Sequence, residues 1–519
     1  MRFLLIVVAV VIGQLGFAQT FVRNNIIKAS LRNTGSITEQ GKVKGYYSFY
    51  DIEKKDSRNN NYQLVIFDEN LREINSIDIT KPRTYGILDG AFNGKAFCFL
   101  FYDHKKKATE MISYDSALRQ IGLSVEPVTN KDAKGLKFIV TKGISGEFLE
   151  AVPDRGFVKY GTIDEKALYK IQFFDNQMRL QWTTEAPGKF KYELASNSFV
   201  DKNYVGSTIT STDKFKHVET SLIVHRVTDG TKFFHIPLAT NQHNIVFSKV
   251  YFDESQQKFI VIGEYYDKLA KESKVPSLGF TVLTIDMDGT ILDQKLNSWA
   301  DMSKVAPITA DGKFDGSNIR MVFLDIVRTS NGEFFVIGEQ YEKAVSGAGI
   351  AAQGASFALA LLTGVYVSST SSVQLNIYNM VVLHFNSDLS INKVHLFEKS
   401  KSVMQLPPGS GFMSSKQLSV YAQVMGGFDY AYTQTTGNGN SFVVTYIDVE
   451  RGSENGVKST QVLGSIIYTP EKVFSVDKMK LDRKSSQYRI YRAKEGYVMV
   501  MEYFQQEKRV ESRLEKLNY

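Results

Sequence analysis

Two stretches of the chain carry residues of the right type and spacing to meet a ligand. Phe259-Ile260-Val261-Ile262-Gly263-Glu264-Tyr265-Tyr266-Asp267-Lys268 is nearly matched by Phe334-Phe335-Val336-Ile337-Gly338-Glu339-Gln340-Tyr341-Glu342-Lys343. Each ends in Glu-x-Tyr, an acid and a lysine, so a carboxylate and a phenol stand two residues apart. In an extended strand that spacing places both on one face. Glu264, Tyr266, Glu339 and Tyr341 are therefore candidate binding residues that would share one rim if the two units stand in phase. The competing reading takes precedence: a repeat consensus mostly builds the repeat itself.

Other spellings of known chemistry fail on context. Gly347-Ala348-Gly349-Ile350-Ala351-Ala352 spells a dinucleotide-binding turn. That turn needs a parallel strand before it, a helix after it and an acid roughly 20 residues on, and here no acid comes before Asp388. Asp286-Met287-Asp288-Gly289 resembles part of a calcium loop, but the first and last ligand positions would fall on Thr284 and Lys295. The last must be a bidentate carboxylate, so the segment reads as a tight turn. The seven histidines show no metal-ligand spacing, and no nucleophile elbow or phosphate loop occurs. No catalytic residue, metal ligand or cofactor is expected. Paired carboxylates drawn from distant strands would leave no local mark, so a glycan-acting hydrolase or lyase stays open as the alternative function.

The elements that would hold these residues repeat along the chain. Each unit reads as a short strand, a strongly apolar strand, a third strand closing in an acidic or Gly-containing turn, and a last amphipathic strand. Weaker copies of the apolar strand lie at 94–103, 202–211 and 496–504. Third strands are read at 64–68, 111–115, 171–175, 222–230, 282–289, 380–388, 442–452 and 510–518. Their spacing, roughly 50 to 65 residues apart from one insertion, suits a four-stranded propeller blade. An isolated sheet of this kind leaves two faces and two edges open, and sheets standing around an axis cover one another. The expected fold is all-β, a single β-propeller of seven or eight four-stranded antiparallel blades spanning 19–519, with tandem β-sandwiches as the alternative. The last unit lacks a fourth strand, which residues 21–30 could supply.

One segment breaks the pattern. From Ala344 to Ser387 there is no Asp, Glu, Lys or Arg, and 347–367 is rich in Gly and Ala. It reads first as an apolar insertion (about 344–374) folded over one rim. A partner-binding patch comes second, with Phe357 and Leu361 as candidate contacts. Membrane contact comes third, because four glycines make a poor spanning helix.

Charge and compartment narrow the partners. The net charge of +7 comes from interspersed lysines and acids, which argues against nucleic acid as a partner. Cys98 is the sole cysteine and sits in an apolar run, so no intrachain disulfide can form and a buried, inert thiol is expected. Met1-Arg2, the apolar run Phe3 to Ile12 and the small residues Gly16 and Ala18 form a secretory signal with cleavage after Ala18. The signal ending in Gly-Phe-Ala-Gln and the Tyr/Phe/Asn/Lys-rich mature chain resemble exported, uncharacterised domain-of-unknown-function families of Bacteroidota. That resemblance implies an exported protein, periplasmic or associated with the outer membrane, ahead of the cell surface. The expected role is a non-enzymatic binding or scaffold protein of the envelope, with an envelope protein or glycan as partner and oligomeric state open.

Overall fold

The computed structural model describes residues 19–27, 34–39, 42–142, 148–162, 167–190, 192–212, 219–237, 243–254, 256–267, 275–314, 317–345, 373–406, 415–424, 426–450, 460–471, 473–481 and 487–518. Residues 1–18, read above as a secretory signal, lie outside them, as does most of the uncharged insertion, including Phe357 and Leu361.

The fold is all-β, built of four-stranded antiparallel sheets of the β-propeller type. Among the described residues eight such sheets follow one another: sheet 1 (35–82), sheet 2 (85–127), sheet 3 (149–185), sheet 4 (192–237), sheet 5 (243–298), sheet 6 (320–405), sheet 7 (430–480) and sheet 8 (487–516). Sheets 3 and 4 are also joined by a two-residue parallel bridge, Ala167 to Tyr192 and Leu168 to Glu193. Sheet 6 carries a short fifth strand, Ser402–Gln405. The described residues divide into two compact units, Pro82–Leu481 and a second made of Met1–Lys81 with Asp482–Tyr519.

In the larger unit, which holds sheets 2 to 7, the first strands lie beside one another in chain order. Tyr85–Phe92 neighbours Leu149–Val152, followed in turn by Tyr192–Val200, His243–Asp253, Arg320–Arg328 and Tyr430–Thr435. The second strands are apolar on both faces because each face meets a different neighbour. Phe334 and Val336 join a cluster with Ile260 and Phe280 of sheet 5. Phe335 and Ile337, pointing the other way, join Phe442 and Val444 of sheet 7. Each such side chain contributes roughly 1.5–3 kcal/mol by leaving water. Fourth strands have only one covered face, and Gln120–Pro127 alternates between exposed and half-buried residues accordingly.

The turn between third and fourth strands is built by one repeated device. The Oδ1 atoms of Asp68, Asp115 and Asp175 accept the amides two residues on (2.8, 3.0 and 2.9 Å) and four residues on (2.9, 2.9 and 3.0 Å). Three residues after the aspartate the backbone turns left-handed, at Leu71 (φ 60°), Leu118 (φ 64°) and Met178 (φ 59°). A left-handed non-glycine residue costs about 1–2 kcal/mol, which burial of a Leu or Met side chain offsets. All three side chains are buried, and the Met178 sulfur lies 3.6 Å from Cys98 Sγ in the preceding sheet. In sheets 4 and 5 the same position is Gly230 (φ 69°) and Gly289 (φ 90°). There an aromatic from the preceding sheet fills the space: a Cβ would lie 2.5 Å from Trp182 Cγ at Gly230 and 2.9 Å from Phe234 Cβ at Gly289. The Asp286–Gly289 segment is thus a turn with its left-handed residue at the same place, but Asp286 Oδ1 accepts the Met287 amide and Asp288 Oδ1 the Thr290 amide, both at 2.8 Å.

The smaller unit holds sheets 1 and 8. Thr20–Arg23 pairs antiparallel with Arg509–Lys516, Thr20 opposite Arg513 and Arg23 opposite Val510, and so supplies the fourth strand of sheet 8. Ile26 follows it into the core, its amide donating to Lys508 O at 2.8 Å.

Two features differ from the sequence reading. Phe442–Glu450 is the second strand of sheet 7, and the third is Thr460–Thr469. Both are apolar throughout, because both are inner strands covered on two faces, so composition does not separate them. Helices also interrupt the repeat: α1 (Asn130–Lys142), the single turn α2 (Trp299–Met302) and α3 (Ser415–Val424). α1 buries Ala133 among sheet 2 residues, with Leu136 and Val140 packed beside it. These positions have helical spacing.

Candidate functional site

All four described candidates lie on second strands, Lys258–Asp267 in sheet 5 and Phe334–Val345 in sheet 6, and all four are buried. The Tyr266 hydroxyl donates to Glu264 Oε2 at 2.7 Å, as their shared face predicts. Burial, and then the Glu264 charge, push the Tyr266 phenol well above its ordinary range. Tyr341 also feels the Glu264 charge and is hydrogen-bonded to Ser419 of α3. The fold therefore brings Glu264, Tyr266 and Tyr341 into one buried cluster.

Glu339 turns to a different set. Its Oε2 accepts the amides of Asp429 (3.0 Å) and Tyr430 (3.3 Å) at the start of sheet 7, and its Oε1 lies 3.5 Å from Lys399 Nζ. Lys399 sits closer to Asp429, 2.6 Å from Oδ2, which also accepts the Ser402 hydroxyl at 2.5 Å. One ammonium is shared by two carboxylates, and Glu339 has the poorer share in a fully buried place. Burial, with the like charge of Asp429 adding to it, raises the Glu339 carboxyl to about 8. Glu502 of sheet 8 holds the position in its strand that Glu264 holds in sheet 5, and it is buried against Arg513.

Sequence reasoning did not find Lys399 and Asp429, which lie outside the repeated strands and carry no local pattern. Nor did it find Arg328, which ends the first strand of sheet 6 and pairs with Asp253 at the end of the first strand of sheet 5. That pair bounds one side of a cleft of about 270 Å³ between the two sheets. Lys295 and Asp388 pair at 3.0 Å on its fourth-strand side. Ile260, Phe334 and Leu389 form an apolar floor, while Lys258, Asp293 and Asn386 stand on the walls. A cross-sheet ion pair thus flanks the opening on either side.

Among the described residues no group of three or more His, Cys, Asp or Glu side chains could hold a metal ion. Cys98 is buried, and burial pushes its thiol well up. No described helix is long and apolar enough to cross a membrane.

A strand repeat running the length of the chain invites comparison over that same length, and a family's sequence pattern matches residues 1–518. The chain belongs to DUF6770, a family of unknown function. None of the curated proteins matches it. Among solved structures, the WD40 domain of SCAP from fission yeast is similar at 10% identity, with 96% of this chain and 98% of that one covered and a TM-score of 0.34. The β-propeller domain of the Trilobed protease from Pyrococcus furiosus is similar at 9% identity, with 85% and 95% covered and a TM-score of 0.32. A europium-containing methanol dehydrogenase is similar at 9% identity, with 84% and 81% covered and a TM-score of 0.38. None of these likenesses lends this DUF6770 chain a functional residue.

Proposed function

We propose that this chain is an exported, non-enzymatic binding or scaffold protein of the bacterial cell envelope. One observation carries the reading. Glu264, Glu339 and Glu502, the carboxylates that recur at one place in the repeat, are buried, and each has a partner inside the fold. A residue closed into the architecture in each of the three sheets that carry it serves the architecture. What differs from sheet to sheet is left for partners: the cleft between sheets 5 and 6, and the uncharged 344–374 segment. Cleavage after Ala18 and a periplasmic or outer-membrane location follow from the N-terminal signal pattern. The hydrolase or lyase alternative needs two carboxylates facing one ligand. On the cleft lining Asp293 is the carboxylate, and Asp253, on the first strand of sheet 5, is committed to Arg328.

Export is tested by producing the full chain with its own N-terminus, fractionating the cells and measuring the mass of the intact product. A chain beginning at Gln19 in the envelope fraction is expected; an uncleaved chain retained in the cytoplasm overturns the reading. Capture from envelope extracts is then compared for the mature chain with and without residues 344–374. An unchanged set of partners removes that segment from the binding role.

A further inference from the structure

We propose that the cleft between sheets 5 and 6 is a binding site for a single acidic sugar residue, its carboxylate held by Lys258 and its hydroxyls by Asp293. The proposal rests on the binding reading above and names a ligand for it. The volume of about 270 Å³ falls just below the usual range for small-molecule sites, which suits one ring rather than a chain of them. The walls show what kind of ring. Arg328 is committed to Asp253 and Lys295 to Asp388, so those four charges cancel in pairs. Lys258 and Asp293, by contrast, form no side-chain hydrogen bond or ion pair among the described residues, and both line the opening. One uncommitted cation and one uncommitted carboxylate therefore face the same space.

Their separation decides between ligands. Lys258 lies on the second strand of sheet 5 and Asp293 on the fourth, with Thr284 paired to Asp293 on the strand between. Thr284 faces Ile260, two residues on from Lys258, so two strand spacings and that offset put the two backbones roughly 12 Å apart. A free amino acid carries its two charges too close together to span that gap. A phosphate would meet one free cation and be repelled by Asp293. A sugar acid has a carboxylate at one end of a six-membered ring and hydroxyl donors at the other, which matches a cation facing an acceptor. Thr284 and the Asn386 side chain, both on the lining, supply further hydroxyl partners along the ring edge. The C–H face of the ring would rest on the apolar floor of Ile260 and Leu389.

The test is calorimetric titration of the mature chain with D-glucuronate, its methyl glycoside and D-glucose. Saturable glucuronate binding is expected, with a dissociation constant on the order of a millimolar and glucose at least about tenfold weaker. Lys258→Met should abolish that preference while leaving glucose binding unchanged, and Asp293→Ala should weaken both sugars. Both side chains are solvent-accessible, so circular dichroism of each variant should match the parent. Binding of the methyl glycoside assigns the site to a residue within a glycan; binding of glucuronate alone assigns it to the free sugar acid. Absence of saturation with every probe, or a preference for glucuronate over glucose that survives Lys258→Met, overturns the proposal. Export and partner capture would be untouched by that result, so the two readings fail separately.

Discussion

At the residue scale, the chain spends its most conspicuous side chains inside itself. Glu339 shows why a charged residue can sit in a core: two backbone amides and a shared ammonium replace its water. That replacement is incomplete, so the carboxyl holds its proton to about 8 in the folded chain against an ordinary value of 4.5. The folded state then binds more protons than the unfolded state between those two values. Stability contributed by this group is full below about 4.5 and is lost as pH rises through about 8. Glu339→Gln mimics the protonated form at every pH. The melting temperature of the parent, measured relative to this variant, should fall steadily between about pH 4.5 and pH 8 and run level outside that window. A flat difference curve would show that Lys399 keeps Glu339 ionised throughout.

The scale of the element brings out the turn that links third and fourth strands. A left-handed residue recurs there, and either a buried Leu or Met, after an aspartate that holds two amides, or an aromatic from the preceding sheet beside a glycine completes the packing. The two solutions occupy the same volume, so they exclude each other. Gly289→Leu should destabilise the chain by about 2–4 kcal/mol, combining left-handed strain with overpacking against Phe234. Phe234→Ala alone should cost about 3–5 kcal/mol. The double variant should cost clearly less than the sum, since the leucine fills part of the space the ring leaves. Urea denaturation of the four proteins measures this coupling, and strict additivity would show that the turn does not read its neighbour. The acidic turns were legible in the sequence as turns. The reciprocal fit of Gly289 to Phe234, some 55 residues upstream by the repeat period, was not, because it depends on how one sheet leans on the next.

For the molecule as a whole, the two chain ends meet in sheet 8, where Thr20–Arg23 covers the edge of Arg509–Lys516. An uncovered edge is a template for pairing with other chains. Ile26, fully buried just beyond that strand, pins it down. Ile26→Ala should cost about 2–5 kcal/mol by urea denaturation. A chain of residues 28–519 should elute from size exclusion as aggregates, where a chain of residues 19–519 does not. A truncated chain with unchanged stability and elution would show that the N-terminal strand is dispensable.

The sequence alone determined the all-β class, the four-strand repeat and the way the N-terminal strand completes the last sheet. Those features are written in local periodicity: a strand apolar on both faces must have a neighbour on each side, and an incomplete last unit needs a strand from elsewhere. It also placed Glu264 beside Tyr266, because a two-residue spacing on a strand fixes the shared face. The tertiary structure decided the rest. It sent Glu339 to Lys399 and Asp429, separated Phe442–Glu450 from the true third strand of sheet 7, and opened a cleft between Lys258 and Asp293. Each of these depends on contacts between residues far apart in the chain, set by how neighbouring sheets face each other. Spacing along a sequence carries no information about that geometry.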